Sequence, residues 1–370
     1  MNTRLAGLMR KEALQIVRDP SAIAIAFVLP VILLLIFGYG VSLDAKHVPV
    51  GVVVDAPTPQ TQSFVAGMRR SEYFSVHAFS AIVQARQALQ ERRINGIVWL
   101  RGDFSRRALT AGDAPVGVVV NGVDANNARI LEGYVQGAWA QWLEREARLR
   151  GGQLVLPVDL QSRIWYNPAL RSRDYLVPGL IAVIMTLIGA LLTALVVARE
   201  WERGTYEALM ATPVSMKEIL FGKVLPYFVL GMGGMALSVA MALWLFHVPL
   251  RGSALVLFGS AALFLLAALG MGLLISTAAR SQFVAGLIAI IVPFLPAFIL
   301  SGFIFDIRAM PEPIQVITHV IAARYFVAIL QTVFLAGNVW SVILPNGAAL
   351  LAMALFFLGI VARLSRKRLD

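Results

Sequence analysis

Long uncharged runs alternate with short charged interruptions along this chain. Six runs of more than 20 residues contain no Asp, Glu, Lys or Arg: 20–43, 175–198, 224–246, 252–279, 281–305 and 325–362. About 20 apolar residues suffice for one helical crossing of a bilayer, so each run predicts a membrane-spanning helix. The last run has 38 residues, too many for one ordinary span. The turn signal Ala336-Gly337-Asn338 cuts it into a short segment and a final span of about 341–361. Six crossings place both termini on one side.

Between the first and second runs, residues 42–174 read as a water-soluble domain. The segments 48–55 (VPVGVVVD), 74–79, 94–101 (INGIVWLR) and 115–122 (PVGVVVNG) predict strands. Helical patterns at about 58–71, 80–92, 103–111 and 125–150 alternate with them. Continuous Val runs between helices predict a small α/β domain with a largely buried sheet. The hexapeptide PVGVVV occurs at 49–54 and again at 115–120, either as a duplicated βα unit or as two buried strands of like composition.

Ahead of the first run, Leu5, Leu8, Met9, Ala13, Ile16 and Val17 recur at helical spacing, with Arg4, Lys11, Gln15 and Arg18 opposite. This pattern predicts an amphipathic helix lying on the membrane surface, or simply a basic flank, ended by Asp19-Pro20. Gly231, Gly233, Gly234, Gly270 and Gly272 in the third and fourth runs predict close helix approach. Pro293 and Pro296 should bend or break the fifth. The stretch 301–338 is apolar but dotted with turn residues, which fits a pair of short helices dipping back into the bilayer.

Composition agrees with this reading. Of 370 residues, 58% are hydrophobic and 14% charged, with a mean hydropathy of +0.75; soluble domains are about a quarter charged. The net charge of +11 raises nucleic acid as a partner, but its placement argues against it. If the N-terminus is cytoplasmic, segments 1–19, 199–223, 277–281 and 363–370 hold 13 Lys and Arg. The loops 247–253 and 302–339 hold only Arg251, Arg308 and Arg324, which is the positive-inside asymmetry. The first run is too long for a signal peptide and no small-x-small site follows at Ser42-Leu43-Asp44, so an uncleaved span is expected. The chain has no cysteine and hence no disulfide framework.

Several function classes lack their chemistry. No ionisable residue lies within the runs, against a proton- or ion-coupled carrier. Gly222-Lys223 is followed by Val224, and Lys217 stands where a phosphate-binding loop needs Gly. His47, His77, His247 and His319 have no metal-ligand spacing. There is no nucleophile–base constellation, so no catalytic residue and no metal site is expected.

The charged interruption REWERGTYEALMATPVSMKEILFGK (199–223) carries the most information. Gly204-Thr205 can stop one helix and start another, with Thr205 as N-cap and Glu207 in the favourable first turn. The new helix, 206–211, is barely two turns long before Thr212-Pro213 breaks it. Ser215 and Glu218 then form a capping box for the next span. Two cap signals within ten residues predict a short stiff helix held crosswise at the membrane surface, suited to docking a partner, rather than a solvated connecting loop.

This interruption resembles the signature of ABC-2-type transporter permeases, the membrane subunits of ABC exporters. KEALQIVRDP, FVLPVILLLIFGYG, the domain after the first span, LGMGLLIST (269–277) and LSGFIFDIRAMP (300–311) resemble their multidrug-efflux branch, in the same order. The family often has a Pro before the aromatic pair after span five; Ala322-Ala323-Arg324-Tyr325 stands here instead.

The resemblance implies a type V exporter half in a bacterial inner membrane, with both termini cytoplasmic. Its fold is α-helical and polytopic, with six transmembrane helices and an inserted extracytoplasmic α/β domain between helices 1 and 2. It further implies a connecting helix at 1–19 (with Arg10, Lys11, Glu12 and Arg18), a first span at 20–43 and the outer domain at 44–174. The remaining spans fill 175–362, with a coupling helix at 204–212, a re-entrant segment at 304–338 and a basic tail at 363–370. Glu200, Glu202, Arg203, Gly204, Thr205, Tyr206, Glu207 and Pro213 are expected to couple the chain to a separate ABC ATPase, which carries the ATP and Mg. No cofactor is expected on this chain. A second permease copy or a paralogue, membrane lipids and a periplasmic adaptor complete the expected partners. Phe27, Phe294, Phe298 and Phe303 are candidate lining for a path taken by drugs or lipid-like molecules, and equally suit helix packing. Two rivals are a membrane-anchored sensor or scaffold, whose outer domain binds a ligand or adaptor, and a membrane-embedded transferase acting on lipid.

Overall fold

Asp19 and Pro20 show how local chemistry sets an element boundary. In the computed structural model, which describes residues 3–40, 46–110, 116–121, 125–149, 171–205, 214–279 and 281–364, helix α1 (Thr3–Val17) stops just before them. The Asp19 carboxylate accepts the Ser21 N–H at 3.0 Å, and Pro20 occupies the first turn of α2 (Pro20–Gly40). The expected helix at 206–211, with Tyr206, Glu207 and Pro213, lies outside the described residues, as does the tail beyond 364.

The face of α1 turned to the protein includes Glu12, which neither side of the expected pattern held. Glu12 and Ile16 are buried, with Leu5 and Leu8 lying against Gly222. Val17 is 73% exposed and Leu14 is 49% exposed. The reason is a competing partner: the flank of a later helix takes Leu8, Glu12 and Ile16, and leaves a second apolar edge uncovered.

Residues 43–162 form one unit. It contains β1 (Val48–Val54), α3 (Pro59–Arg70), β2 (Phe74–Phe79), α4 (Ile82–Gln90), β3 (Gly96–Leu100), α5 (Phe104–Thr110), β4 (Val116–Val120) and α6 (Ala125–Leu149). The sheet order is β2-β1-β3-β4, with β1 parallel to β2 and β3, and β4 antiparallel to β3. Alternate residues of β1 serve two cores. Val50 and Val52 meet Phe64, Met68, Phe104 and Trp142 on one face, while Val53 meets Ala85 and Ala88 on the other. Burial is complete only in the middle of the sheet, because Val118 and Val119 on the edge strand β4 are each 38% exposed. The two PVGVVV copies therefore occupy unlike positions, one in a central parallel strand and one in an antiparallel edge, so composition explains the repeat better than duplication.

Residues 1–42 and 163–370 form the other unit. It adds α7 (Ser172–Glu202), α8 (Met216–Ala240, prolonged by a π-turn at Met241–Leu245), α9 (Ala254–Ala279), α10 (Gln282–Leu300), α11 (Glu312–Thr318), α12 (Ala322–Leu335) and α13 (Trp340–Leu364). Among the described residues six helices, α2, α7, α8, α9, α10 and α13, are long and apolar enough to cross a membrane. Helix α7 is their axis: 89% of its most apolar window is buried, against at most 50% in any other. Pro293 does not break α10; its missing N–H is absorbed in a π-turn at Ile290–Phe294 and the helix continues. Helices α11 and α12 meet at 84°, a sharp elbow within the apolar stretch after α10.

Small residues set the closest helix contact. A Cβ on Gly189 of α7 would stand 2.5 Å from the Ala268 Cβ of α9, and one on Gly272 would strike Thr193 and the Ala190 carbonyl. The same approach lets the Thr193 hydroxyl donate to the Leu269 carbonyl across the pair at 2.9 Å. Overpacking a fitted core costs about 1–3 kcal/mol. Gly272→Leu should therefore lower the unfolding temperature of the purified protein in detergent, and an unchanged value would refute this contact.

Candidate functional site

The end of α7 carries Arg199, Glu200, Glu202 and Arg203, and each of the first three reaches a different helix. Glu200 enters a nearly dry pocket between α1 and α8. Its carboxylate takes the Lys223 ammonium of α8 on one oxygen and the Lys11 ammonium of α1 on the other, the latter at 2.9 Å. Glu12 joins them, 3.2 Å from Lys223 and 3.1 Å from Lys11. The side chains of Glu12, Glu200 and Lys223 are 1%, 5% and 5% exposed. Lys11, whose side chain is 43% exposed, closes the cluster from the solvent side, so that two carboxylates and two ammonium groups neutralise one another.

Arg199 turns to the junction of α1 and α2. Its guanidinium pairs with Asp19 and donates to the Ser21 hydroxyl at 3.2 Å. Glu202 turns to α10 and accepts the N–H of Gln282, its first helical residue, at 2.7 Å. That N–H has no partner within its own helix, and a carboxylate there also suits the helix dipole. One turn of α7 therefore holds four other helices.

Helix α7 then stops. Gly204 has φ +66° and a Cβ there would meet nothing within 4 Å, so glycine is needed for backbone reasons alone. The Thr205 hydroxyl donates back to the Glu200 carbonyl at 3.2 Å, and Thr205 and Arg203 are exposed. The predicted capping box forms: the Glu218 N–H donates to Ser215 Oγ, and the Ser215 N–H donates to Glu218 Oε2 at 2.8 Å.

Burial pulls the Lys11 ammonium down, but Glu200 and then Glu12 outweigh it and hold it above its ordinary 10.5. Burial pulls the Asp19 carboxyl up, but the Ser21 hydroxyl and the Arg199 guanidinium outweigh it and hold it below its ordinary 3.8.

Of the residues singled out in the connecting helix, Lys11 and Glu12 join the cluster while Arg10 and Arg18 are exposed. Lys223, Arg199 and Asp19 were not singled out, although each borders an uncharged run. That position signals depth at a membrane edge; which charge meets which is a tertiary matter. The four phenylalanines do not form one lining. Phe294, Phe298 and Phe303 gather with Phe37, at ring separations of 5.8–6.0 Å. Phe27 instead abuts Gly233. Phe303 is buried, its ring filling the space that a Cβ on Gly179 would take, so it serves packing. Among the described residues no three His, Asp or Glu side chains are grouped to hold a metal ion.

Removing one partner from a buried charge cluster costs about 3–5 kcal/mol. Lys223→Met should therefore lower stability by about that amount, and adding Glu12→Gln should restore part of it; a single variant as stable as the wild type would refute the cluster. The Asp19 pair contributes fully above the ordinary carboxyl value and is lost only as pH falls through the depressed one. The stability gap between wild type and Asp19→Asn should stay constant from about pH 9 to about pH 5 and shrink only toward about pH 3. A gap already closing near neutral pH would show that the pair is not formed.

Comparison with known proteins agrees with this architecture. Residues 21–363 match the family model described as ABC-2 family transporter protein. The chain is 43% identical to the probable multidrug ABC transporter permease YbhS of Escherichia coli (strain K12), over 99% of this chain and 98% of that one. It is 28% identical to the probable multidrug ABC transporter permease YbhR of the same organism, over 90% of each. The linearmycin resistance permease protein LnrN of Bacillus subtilis (strain 168) is 22% identical over 92% of this chain and 93% of its own. The chain belongs to the ABC-2 family of transporter proteins.

Proposed function

We propose that this ABC-2 permease is the membrane half of an ATP-driven exporter in a bacterial inner membrane, with both termini cytoplasmic and residues 44–174 outside. Two copies, or one copy and a paralogue, enclose the path, and a separate ATPase carrying ATP and Mg supplies the energy. Drugs or lipid-like amphiphiles are the cargo class, in keeping with the multidrug and resistance names of its relatives. The outer domain is free to receive a periplasmic adaptor, and lipids bathe the exposed faces of α2, α10 and α13.

One observation carries the coupling assignment: a single turn of α7, just before the interruption at 206–213, grips α1, α2, α8 and α10. Breaking the buried cluster would cost about 3–5 kcal/mol. Gly204, by contrast, is a bare left-handed joint. A push from a docked ATPase therefore meets a hinge first and a rigid hub second, and the helices move together. Such a displacement follows ATP only if the two permease states contact the ATPase differently. Glu200 and Glu202 serve as the grip, Gly204 as the joint, and Thr205, Tyr206, Glu207 and Pro213 shape the docking segment.

Two measurements test this. Gly204→Val forces a β-branched residue into a left-handed backbone at a cost of about 1–2 kcal/mol; membrane insertion should survive while ATP-dependent uptake into inverted vesicles, the equivalent of efflux from the cell, falls severalfold. Because the chain has no cysteine, Ala208→Cys can be cross-linked alone in native membranes. A nucleotide-sensitive adduct to an ATPase-sized protein is expected. Normal efflux by Gly204→Val, or no adduct from a reagent-accessible cysteine, would overturn the coupling role.

A further inference from the structure

At the far end of α7 from the charge cluster lies a second polar site of different chemistry. A cavity of about 530 Å³ is bounded by Tyr175 at the start of α7, by the chain after α10, by the α11–α12 elbow and by Asn346 of α13. Ligand pockets commonly span about 300–1,000 Å³, whereas one water takes about 30 Å³. The space is that of a ligand.

Its frame is satisfied internally. The Tyr175 hydroxyl donates to the Gly302 carbonyl at 3.0 Å, where Gly302 turns the chain with φ +85°. Asp306 accepts the Arg308 N–H at 3.0 Å. Arg324 clamps the elbow by donating to the Gln315 carbonyl at 3.2 Å and to the Thr318 hydroxyl. These bonds explain why the cavity stays open.

Two lining groups remain outside that frame. Ser301 is 1% exposed, and neither its Oγ nor the buried Nε2 of Gln331 has a hydrogen-bond partner among the described residues. An unmet buried polar group costs about 1–3 kcal/mol, so two on one cavity amount to a preformed claim on an acceptor. The surrounding charge has the matching sign, with Arg308 and Arg324 against Asp306 alone. Beside the cavity the surface is apolar: Ile304 and Phe305, the two residues before Asp306, are 39% and 58% exposed.

We propose that this cavity binds the anionic phosphate headgroup of an amphiphile. The phosphate oxygens accept from Ser301 Oγ, Gln331 Nε2 and the exposed Arg308 guanidinium, while the tail lies along Ile304 and Phe305. The assignment does not rest on the export reading. It is tested without an ATPase, so either can fail alone.

The test uses the purified full-length chain in neutral maltoside micelles, with lipid binding followed by native mass spectrometry and by thermal shift. Phosphatidylglycerol should bind and stabilise more strongly than phosphatidylcholine, and inorganic phosphate alone should act only weakly. Ser301→Ala and Gln331→Leu remove groups that hold nothing in the empty protein, so their unfolding temperatures without lipid should match or exceed the wild type. Their affinity for phosphatidylglycerol should fall about tenfold or more, the equivalent of one charge-assisted hydrogen bond. Arg308→Gln, an exposed change, should weaken binding in the same way and guards against a folding defect in the other two. Equal binding of the two lipids, or wild-type affinity in all three variants, would overturn the proposal. Inorganic phosphate acting as strongly as the lipid would make this a free-anion site and remove the tail.

Discussion

Three buried charges, closed off by a fourth at the surface, govern the arrangement of this membrane unit. Glu12, Glu200, Lys223 and the half-exposed Lys11 come from three helices, and removing a buried member leaves a partner's charge uncompensated where charge is poorly solvated. Such a cluster contributes little net stability compared with an apolar replacement, but it is costly to break from one side. It therefore acts as a constraint on geometry. Helices α1 and α8 are locked to the end of α7, and the Arg199 and Glu202 contacts extend the lock to α2 and α10.

The rest of α7 turns that local lock into a long-range one. Packing against α9 is close because Gly189 and Gly272 present no Cβ, and Thr193 bonds across the gap. From Glu200 to Tyr175 the helix runs about 38 Å at 1.5 Å per residue. The charged end and the polar cavity are thus joined by one helix that is buried along most of its length. The two ends differ in kind. One is a neutralised ionic knot that resists change, and the other holds donors without partners, which invites a ligand. Just beyond the charged end, Gly204 is the place where the chain bends at least steric cost.

Much of this was legible in the sequence because it is periodic or local. Six uncharged runs announce six helices, the Ser215–Glu218 box marks the start of α8, and alternating Val segments mark the strands. Residues of the candidate site were legible as a neighbourhood: charges at 199–223 and 11–12 between apolar runs. Their pairing was not. Lys223 reads as the last charge of the helix entering the third span, and only the structure shows it buried against Glu200 and Glu12. The phenylalanine group suits a lining and helix packing equally in the sequence, and the structure packs Phe303 opposite Gly179. Val17 reads as part of a stripe facing the membrane surface, and it is exposed beside the face of α1 that α8 covers.

The sequence by itself determined where the chain is apolar enough to cross a bilayer, where helices begin and stop, and that a charged interruption follows the second span. Those features depend on residues within a few positions of one another. Tertiary structure alone decided which charges neutralise which, that β4 runs antiparallel at an edge, and that Ser301 and Gln331 meet at one cavity from 30 positions apart. Such outcomes turn on side-chain distances between remote segments. Hydropathy and spacing carry no record of those distances.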